Sequence, residues 1–556
     1  MLSYHLFWWA AWLSASYGLL LGLYRVYLHP LAKFPGPKLA AATGWYETYI
    51  DLFQWPRRSF VDEIARLHRI YGPIVRISPQ EIHVRDSTWL DTLYAGPSHG
   101  KKDKYAPAAL MTGTSQGIFG TVPHELHRLR RAAINPLFSK PNVAAAVPMI
   151  FELTDKLLVR IKTQVARDGF ADMRTNSLAF TTDTASQYST GQSRQLLDNE
   201  TLAFQWRRSM TNVARWTSIG RHFSLVLLLI LIMPMALLKL IFPDVLLMVG
   251  LHRDIFAISL QNIRTTSQDH KMTAKKVPPN VFSTIISSSD FPPSEKAAER
   301  ISQGVELVAA GSETAARTIT TAIYFTLRNK NAVQAKLEEE LERKMPDPSL
   351  RPSLKELQSL PWLSVIIRES LRLMALPTMR FPLVSPRENL YYNDWVIPPG
   401  TPVSMTFRDV LLDDKIFEKP HEFHPERWLN SNPSAQKLNR YFMPFGRGNR
   451  MCIGMGLAYA ELYIVLACVF RRLKLQLHDS IADQDLDIMC DCFIGETPDS
   501  TKGLRVDSTG TVQSVSLESQ PRIQGFQVRR RCRSNDHHDR QAMLWPTTVQ
   551  ISAWVQ

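Results

Sequence analysis

The run Phe445-Gly446-Arg447-Gly448-Asn449-Arg450-Met451-Cys452-Ile453-Gly454 sets one cysteine in a glycine-punctuated loop, with arginines two and five residues before it. A thiolate donates electrons strongly to a metal, and its charge survives partial burial only beside backbone donors and cations. Gly446, Gly448 and Gly454 permit sharp turns and a close approach to a flat ring without a Cβ in the way. Arg450 offers a planar fork that matches a carboxylate better than lysine would. A lone cysteine is most often an ordinary buried thiol. Apolar burial alone does not call for this density of glycine and arginine, so the loop reads as a thiolate holding haem iron.

The spacing F-x-x-G-x-R-x-C-x-G, carried by Phe445, Gly448, Arg450, Cys452 and Gly454, resembles the haem-binding signature of the cytochrome P-450 family. Two further sites of that family have counterparts upstream. In LPWLSVIIRESLRL the apolar residues recur at helical spacing, and Glu369 and Arg372 fall on one face. This resembles the family's E-x-x-R, and Pro425-Glu426-Arg427-Trp428 resembles the segment whose arginine joins the pair. Glu369, Arg372 and Arg427 are then expected to form one buried ionic network beneath the haem. Taken alone, a Glu and an Arg three apart are usually a solvated pair worth about 0.2–0.5 kcal/mol.

The helical run GVELVAAGSETAARTITTAIYF contains Ala310-Gly311-Ser312-Glu313-Thr314, which resembles the family's oxygen-binding motif. Glycine in mid-helix costs about 1 kcal/mol relative to alanine, so something is expected to approach the backbone there. The resemblance makes that dioxygen, seated over Ala310 and Gly311 in a local distortion of the helix. It also gives Thr314 the task of orienting water, and Glu313 that of relaying protons.

His124-Glu125-Leu126-His127-Arg128-Leu129-Arg130-Arg131 resembles the helix whose W-x-x-x-R contacts haem propionates, with Arg131 as the arginine and His127 where tryptophan is common. An imidazole can still donate to a carboxylate. Arg128 and Arg130 are expected on a solvated face toward the electron donor. In ALPTMRFPLVSP, Arg380 stands where the family often supplies another propionate arginine. Many fungal relatives carry a second arginine three residues later, and this chain has Leu383.

These motifs need a scaffold. The 556 residues would suggest several domains by length alone, yet no linker, repeat or low-complexity stretch divides the chain between Arg57 and Val506. The resemblance implies a mainly α fold with small β-sheets, the cytochrome P-450 fold, occupying 57–507. Five cysteines without paired spacing argue against a disulfide framework. Cys490 and Cys492 lack a second cluster to complete a zinc site, and Cys468 reads as core.

From Leu6 to Leu23 the chain carries no charge and several aromatics, so 1–25 reads as a transmembrane anchor. Positive charge follows at Arg25, His29, Lys33 and Lys38, which puts the catalytic domain in the cytosol and implies a single pass through the endoplasmic reticulum membrane. The alternative, a cleaved signal peptide, lacks a basic segment before the apolar run. Residues 26–56 resemble the family's proline-rich hinge and linker. A second apolar run, Ser224 to Phe242, is broken by Pro234 and Lys239 and reads as a patch dipping into the bilayer surface. Residues 508–556 are polar, basic and unpatterned, as a disordered or artefactual tail would be.

The net charge of +14 is dispersed and lacks a base-reading motif, which argues against nucleic acid. A positive surface including Arg128, Arg130 and Arg447 suits an acidic flavoprotein. The resemblance implies a haem cofactor and NADPH acting through a cytochrome P-450 reductase, with cytochrome b5 as a further donor. The expected reaction is monooxygenation, hydroxylating or epoxidising a lipophilic small molecule. HPLAKFPGPKLAAATGWYE looks like filamentous-fungal members akin to the trichodiene-oxygenase group, which points to a terpenoid or another secondary metabolite. Two other readings compete: a haem-thiolate isomerase or dehydratase, which commonly lacks the acid-threonine pair kept here as Glu313-Thr314, and a catalytically impaired membrane-anchored haem protein.

Overall fold

A computed structural model describes residues 2–54, 59–94, 100–110, 117–223, scattered positions from 226 to 250, 297–479, 492–497 and 503–508. Helix α1 (Leu2–Leu23) continues as a π-helical turn over Tyr24–Leu28. Within it, Tyr4–Leu28 is long and apolar enough to cross a membrane. At 1.5 Å per residue, a helix of this length spans roughly the ~30 Å hydrocarbon layer of a bilayer. Trp8, Trp9, Trp12 and Leu20 project away from the protein, as a lipid-facing helix needs.

The hinge is folded into the domain. Leu31 and Phe34 are buried, and Phe34 stacks on Trp395 with ring centroids 5.0 Å apart. Arg76 donates to the Arg25 carbonyl at 2.8 Å. At φ 156°, Gly36 passes so close to the Arg76 backbone that no Cβ would fit. The segment before residue 57 thus packs onto the strands that follow it.

The body consists of α2 (His124–Ile134), α3 (Lys140–Asp168), α4 (Met173–Thr190), α5 (Glu200–His222), α6 (Ala297–Arg328), α7 (Pro361–Met374) and α8 (Met455–Arg472). Asp172 starts α4 by accepting from the N–H groups of Arg174 and Thr175 at 3.0 and 3.2 Å. Gly191, at φ 79°, ends it. Helix α6 packs against α4, α7 and α8 and so forms the central axis. Phe151, Phe180, Ile323 and Ile464 lie in the core between these helices, each contributing about 1.5–3 kcal/mol by leaving water. Cys468 is buried in α8, as expected.

A five-stranded sheet lies beside the helical body. Its strands are β1 (Ile74–Arg76), β2 (Ile82–Val84), β3 (Asp103–Lys104), β4 (Leu383–Val384) and β5 (Pro402–Ser404), in the order β1-β2-β5-β4-β3. Only the β2–β5 pair is parallel. In the β3–β4 pair, Lys104 stands directly opposite Leu383. A second sheet joins Ala171–Asp172, Arg505–Ser508 and Leu475–Leu477.

Of the second apolar run, Met235–Ile241 is helical, with Leu238 buried and Leu237, Leu240 and Ile241 exposed. Most of the rest of that run, expected from Ser224 to Phe242 to dip into the bilayer, lies outside the described residues. So do Cys490 and residues 509–556.

Candidate functional site

The loop before α8 is built by its glycines. Gly446 and Gly448 take φ of 72° and 71°, a left-handed conformation that costs other residues energy. Gly454 does not need that freedom, since its φ is −80°. It lies instead against the sulfur, where its N–H and that of Met455 face Cys452. The Cys452 N–H donates to Phe445 O at 2.8 Å, which closes the loop. Burial pushes the Cys452 thiol up, while the two N–H groups and the Arg131 charge pull it back toward the thiolate.

The sulfur opens into a cavity of about 360 Å³ whose wall is largely apolar. Helix α6 brings Ala310, Gly311 and Thr314 to the same cavity. The Thr314 hydroxyl donates to Ala310 O at 2.9 Å. Helix α6 is assigned without a break through this stretch. Gly311 also has a packing reason, because a Cβ there would lie 3.1 Å from the Cβ of Ala185 on α4. Thr181 of α4 donates to Ser312 O at 2.7 Å across the same close contact.

Glu313 is placed differently from its expected proton-relay role. Although adjacent to Thr314, it points off the cavity wall, because neighbours on a helix diverge by about 100°. It accepts from Arg317 Nε at 3.2 Å and lies 3.5 Å from Arg174, which also holds Glu496 at 2.6 Å. This is a closed buried ion network joining α4, α6 and the segment at 492–497. The carboxylates there raise the Arg174 pKa against the opposing effect of burial, which is the largest single influence. Glu496 is held below its ordinary value by Arg317 and Arg174, although burial pushes it up.

Cations gather on the cavity wall next to the loop. Arg131 Nη1 donates to Met451 O at 2.6 Å. Arg450 donates to Thr121 O and Val122 O at 2.7 and 2.8 Å. Its buried Nε has no hydrogen-bond partner among the described residues. Burial pulls Arg450 down to about 10. His127 is buried and lines the cavity, and burial followed by the charges of Arg450 and Arg131 takes its pKa down to about 3. It stands there as a neutral imidazole able to donate one hydrogen bond. Unspent donors of this kind fit the carboxylates of haem.

Two arginines lie elsewhere than their spacing implied. Arg380 does not line the cavity; it is clamped by Glu81 at 2.7 Å and by Glu47 at 2.9 Å, so its charge is already matched by carboxylates. Arg130 turns inward, donating to Thr121 Oγ1 at 2.7 Å, because positions 124, 127, 130 and 134 share the buried side of α2. Arg128 faces out and pairs with Glu125 at 3.0 Å. Arg447 is partly exposed, 3.1 Å from Asp91.

One cation escaped the motif reading. Lys104 is buried, lines the cavity, and donates to Phe119 O at 2.7 Å. Burial and the Arg450 charge push its pKa far down. It lies across the β3–β4 ladder from Leu383, so it brings a cation to the place where an arginine at 383 would bring one. The only sequence signal was a lysine in a short β pattern.

Beneath the loop, Glu369 and Arg372 are fully buried. Arg372 Nε and Nη2 donate to Glu369 at 3.0 and 2.8 Å. Arg427 Nε, Trp428 Nε1 and the His424 N–H also donate to that carboxylate, at 3.1, 2.8 and 3.0 Å. Arg372 Nη1 reaches Leu411 O and Pro420 O at 3.0 and 2.6 Å, tying the helix to the chain that leads toward the loop.

Comparison with known proteins agrees with this architecture. The family model described as Cytochrome P-450 matches residues 44–493. The chain is 37% identical to the cytochrome P-450 monooxygenase sdnE of Sordaria araneosa, covering 89% of this chain and 96% of the relative. It is 38% identical to the tryptophan 6-hydroxylase fscE of Fusarium equiseti, over 87% and 94%. It is 33% identical to the N-acetyltryptophan 6-hydroxylase ivoC of Emericella nidulans, over 89% and 95%. A match that runs through the thiolate loop, the buried carboxylate hub and the central helix together leaves one assignment: the chain belongs to the cytochrome P-450 family.

Proposed function

We propose that this cytochrome P-450 monooxygenase of fungal secondary metabolism hydroxylates a lipophilic small molecule with a planar aromatic body, using dioxygen and electrons passed from NADPH by a reductase. One observation carries the reading: the Cys452 sulfur and the Thr314 hydroxyl open onto the same apolar cavity. Haem, when bound, supplies the activation of dioxygen and the transfer of one oxygen atom to the substrate.

The chain's own residues do the rest. Cys452 would hold the haem iron through its sulfur, with Gly454 and Met455 N–H groups and Arg131 steadying its charge. Arg131, Arg450, Lys104 and the neutral His127 would hold the haem carboxylates. Ala310 and Gly311 line the cavity without bulk, and Thr314 can rotate its hydroxyl from Ala310 O to hand a proton into the cavity. Glu313 keeps α6 in register through Arg174 and Arg317 and is not in line with that proton. Glu369, Arg372 and Arg427 fix the floor.

The terpenoid expectation rests on resemblance alone. The names of two relatives, for tryptophan and N-acetyltryptophan 6-hydroxylation, favour an aromatic body. So do Phe119, Phe381 and Phe493, which line the cavity with ring centroids 5.5 to 6.0 Å apart, edge to face. Anchored by α1, the domain works on the cytosolic face of the endoplasmic reticulum, where the reductase and cytochrome b5 reach it, and the tail beyond Ser508 is dispensable.

The test uses full-length protein in microsomes with a matched reductase. The reduced carbon-monoxide complex is expected to show a thiolate-type Soret band, and product formation to need NADPH. Thr314→Ala should cut product about 100-fold or more while NADPH oxidation continues. Product without NADPH would favour the isomerase or dehydratase reading. A normal thiolate band with no turnover on any aromatic or terpenoid lipophile would favour the impaired haem protein.

A further inference from the structure

Helix α8 puts one acid on an apolar face. Its Leu457, Ala458, Glu461 and Leu462 line the cavity, and their spacing of three and four residues makes them one side of the helix. Glu461 is 2% exposed. Among the described residues its carboxyl group has no hydrogen-bond or ion-pair partner, and no charged group acts on it. Burial alone pushes its pKa well above the usual carboxylate range. A carboxylate left unanswered in such a place is costly, so the group keeps its proton.

The oxygen side needs a proton source. Glu313, beside Thr314, is bound into the Arg174 and Arg317 network and points off the cavity wall. Glu306, the other acid that lines the cavity, is held by the Phe119 N–H at 3.0 Å and faced by the Lys104 charge. Glu461 is therefore the cavity acid with a proton to give. Thr318, one turn after Thr314, also lines the cavity, and its hydroxyl donates to Thr314 O at 3.0 Å. Farther along, Thr321 donates to Met374 Sδ at 2.6 Å, which fastens α6 to α7. Helices α6, α7 and α8 thus meet on the C-terminal side of Thr314, where Leu371, Met374 and Glu461 share the wall.

We propose that Glu461 is the proton source that resupplies Thr314. Water held in a cavity bridges carboxyl and hydroxyl groups at little cost. The Glu461 O–H bond breaks, its proton passes through such water to the Thr314 oxygen, and Thr314 releases its own proton into the cavity. The carboxylate left behind takes a proton back from water. No electron moves in these steps; both electrons of the turnover come from NADPH through the reductase. The inference rests on the monooxygenase reading above and adds to it the origin of its protons.

The test takes reduced full-length holoenzyme with carbon monoxide bound and records the infrared difference spectrum when a flash releases the gas. Departure of carbon monoxide from the oxygen side should disturb Thr314 and, through water, a protonated carboxyl group. A carboxylic-acid C=O band is expected to respond in the wild type, to shift in heavy water, to be absent in Glu461→Gln and to stop responding in Thr314→Ala. In turnover of a lipophile that the microsomes oxidise, Glu461→Gln should lower product about 100-fold or more while NADPH oxidation continues, and Glu461→Asp should restore part of it.

No responding acid band in the wild type, a band that survives in Glu461→Gln, or one indifferent to Thr314→Ala overturns the proposal. So does full product yield in Glu461→Gln, which would mark Glu461 as a packing residue. Should Glu461→Gln fail to fold, Glu461→Asp decides, since its band must differ in frequency from that of the wild type. Failure here leaves the carbon-monoxide Soret band and NADPH-dependent turnover of the wild type intact, so it is separable from failure of the monooxygenase reading.

Discussion

Among single residues, the clearest gap between motif and geometry concerns charge. Arg380 matched a family position by spacing, yet Glu47 and Glu81 had already claimed its guanidinium. Lys104 matched nothing, yet it reaches the cavity beside Arg450. Sequence spacing cannot show this, because Lys104 and Leu383 are adjacent only through the β3–β4 register. A direct prediction follows. Lys104→Leu should speed transfer of haem to apomyoglobin by about tenfold, the equivalent of about 1.4 kcal/mol. Leu383→Arg added to that variant should restore retention, since it returns a cation from the facing strand. Unchanged transfer in Lys104→Leu, or no recovery in the double variant, would remove Lys104 from the haem-carboxylate set.

At the level of helices and strands, α7 shows what an apparently weak motif becomes when buried. Glu369 answers Arg372, Arg427, Trp428 and the His424 N–H at once. Glu369→Gln keeps the shape but leaves two buried guanidinium groups without a carboxylate. Loss of one partner from a buried ion network costs about 3–5 kcal/mol, comparable to a large share of a domain's net stability. The variant should accumulate little folded holoenzyme and melt well below the wild type by circular dichroism. A melt within a degree or two of the wild type would show that the hub is not structural. The same helix was legible in the chain because its apolar residues follow the 3.6 period, and Pro361 starts it where proline is tolerated.

Across the whole molecule, burial of neutral histidines sets how the domain responds to acid. His68 and His83 share a 2.7 Å hydrogen bond, and His83 reaches Thr406 at 2.9 Å, linking the helix Phe60–Tyr71 to β2 and the chain after β5. Burial takes His68 down to about 4 and His83 well below its ordinary value. In the unfolded chain both take up protons near pH 6.5, while in the folded one they do not. Protonation therefore favours the unfolded state as pH falls, and above pH 7 these groups contribute no slope. The part of the stability that depends on these two histidines should be flat from pH 7 to 8 and decline from pH 6.5 downward, by up to about 1.4 kcal/mol per pH unit for each. His68→Gln should shallow that decline by one proton, and a profile equally flat from pH 8 to 5 would contradict the buried pair.

The thiolate loop, the E-x-x-R pair and the apolar N-terminal helix could be read from the chain because each depends on short-range chemistry. A glycine at positive φ, an ion pair three residues apart and an apolar helix of membrane length are local properties. The haem assignment and the family followed from their order. Which charges remain unspent was decided only by tertiary packing. Arg380 met two acids from distant segments, Arg130 turned inward with its helix face, and Glu313 closed a network with Arg174 and Glu496. Glu306 and Lys104 came together on Phe119. Electrostatic roles depend on every charge within a few ångströms, and those neighbours come from parts of the chain that the linear order keeps far apart.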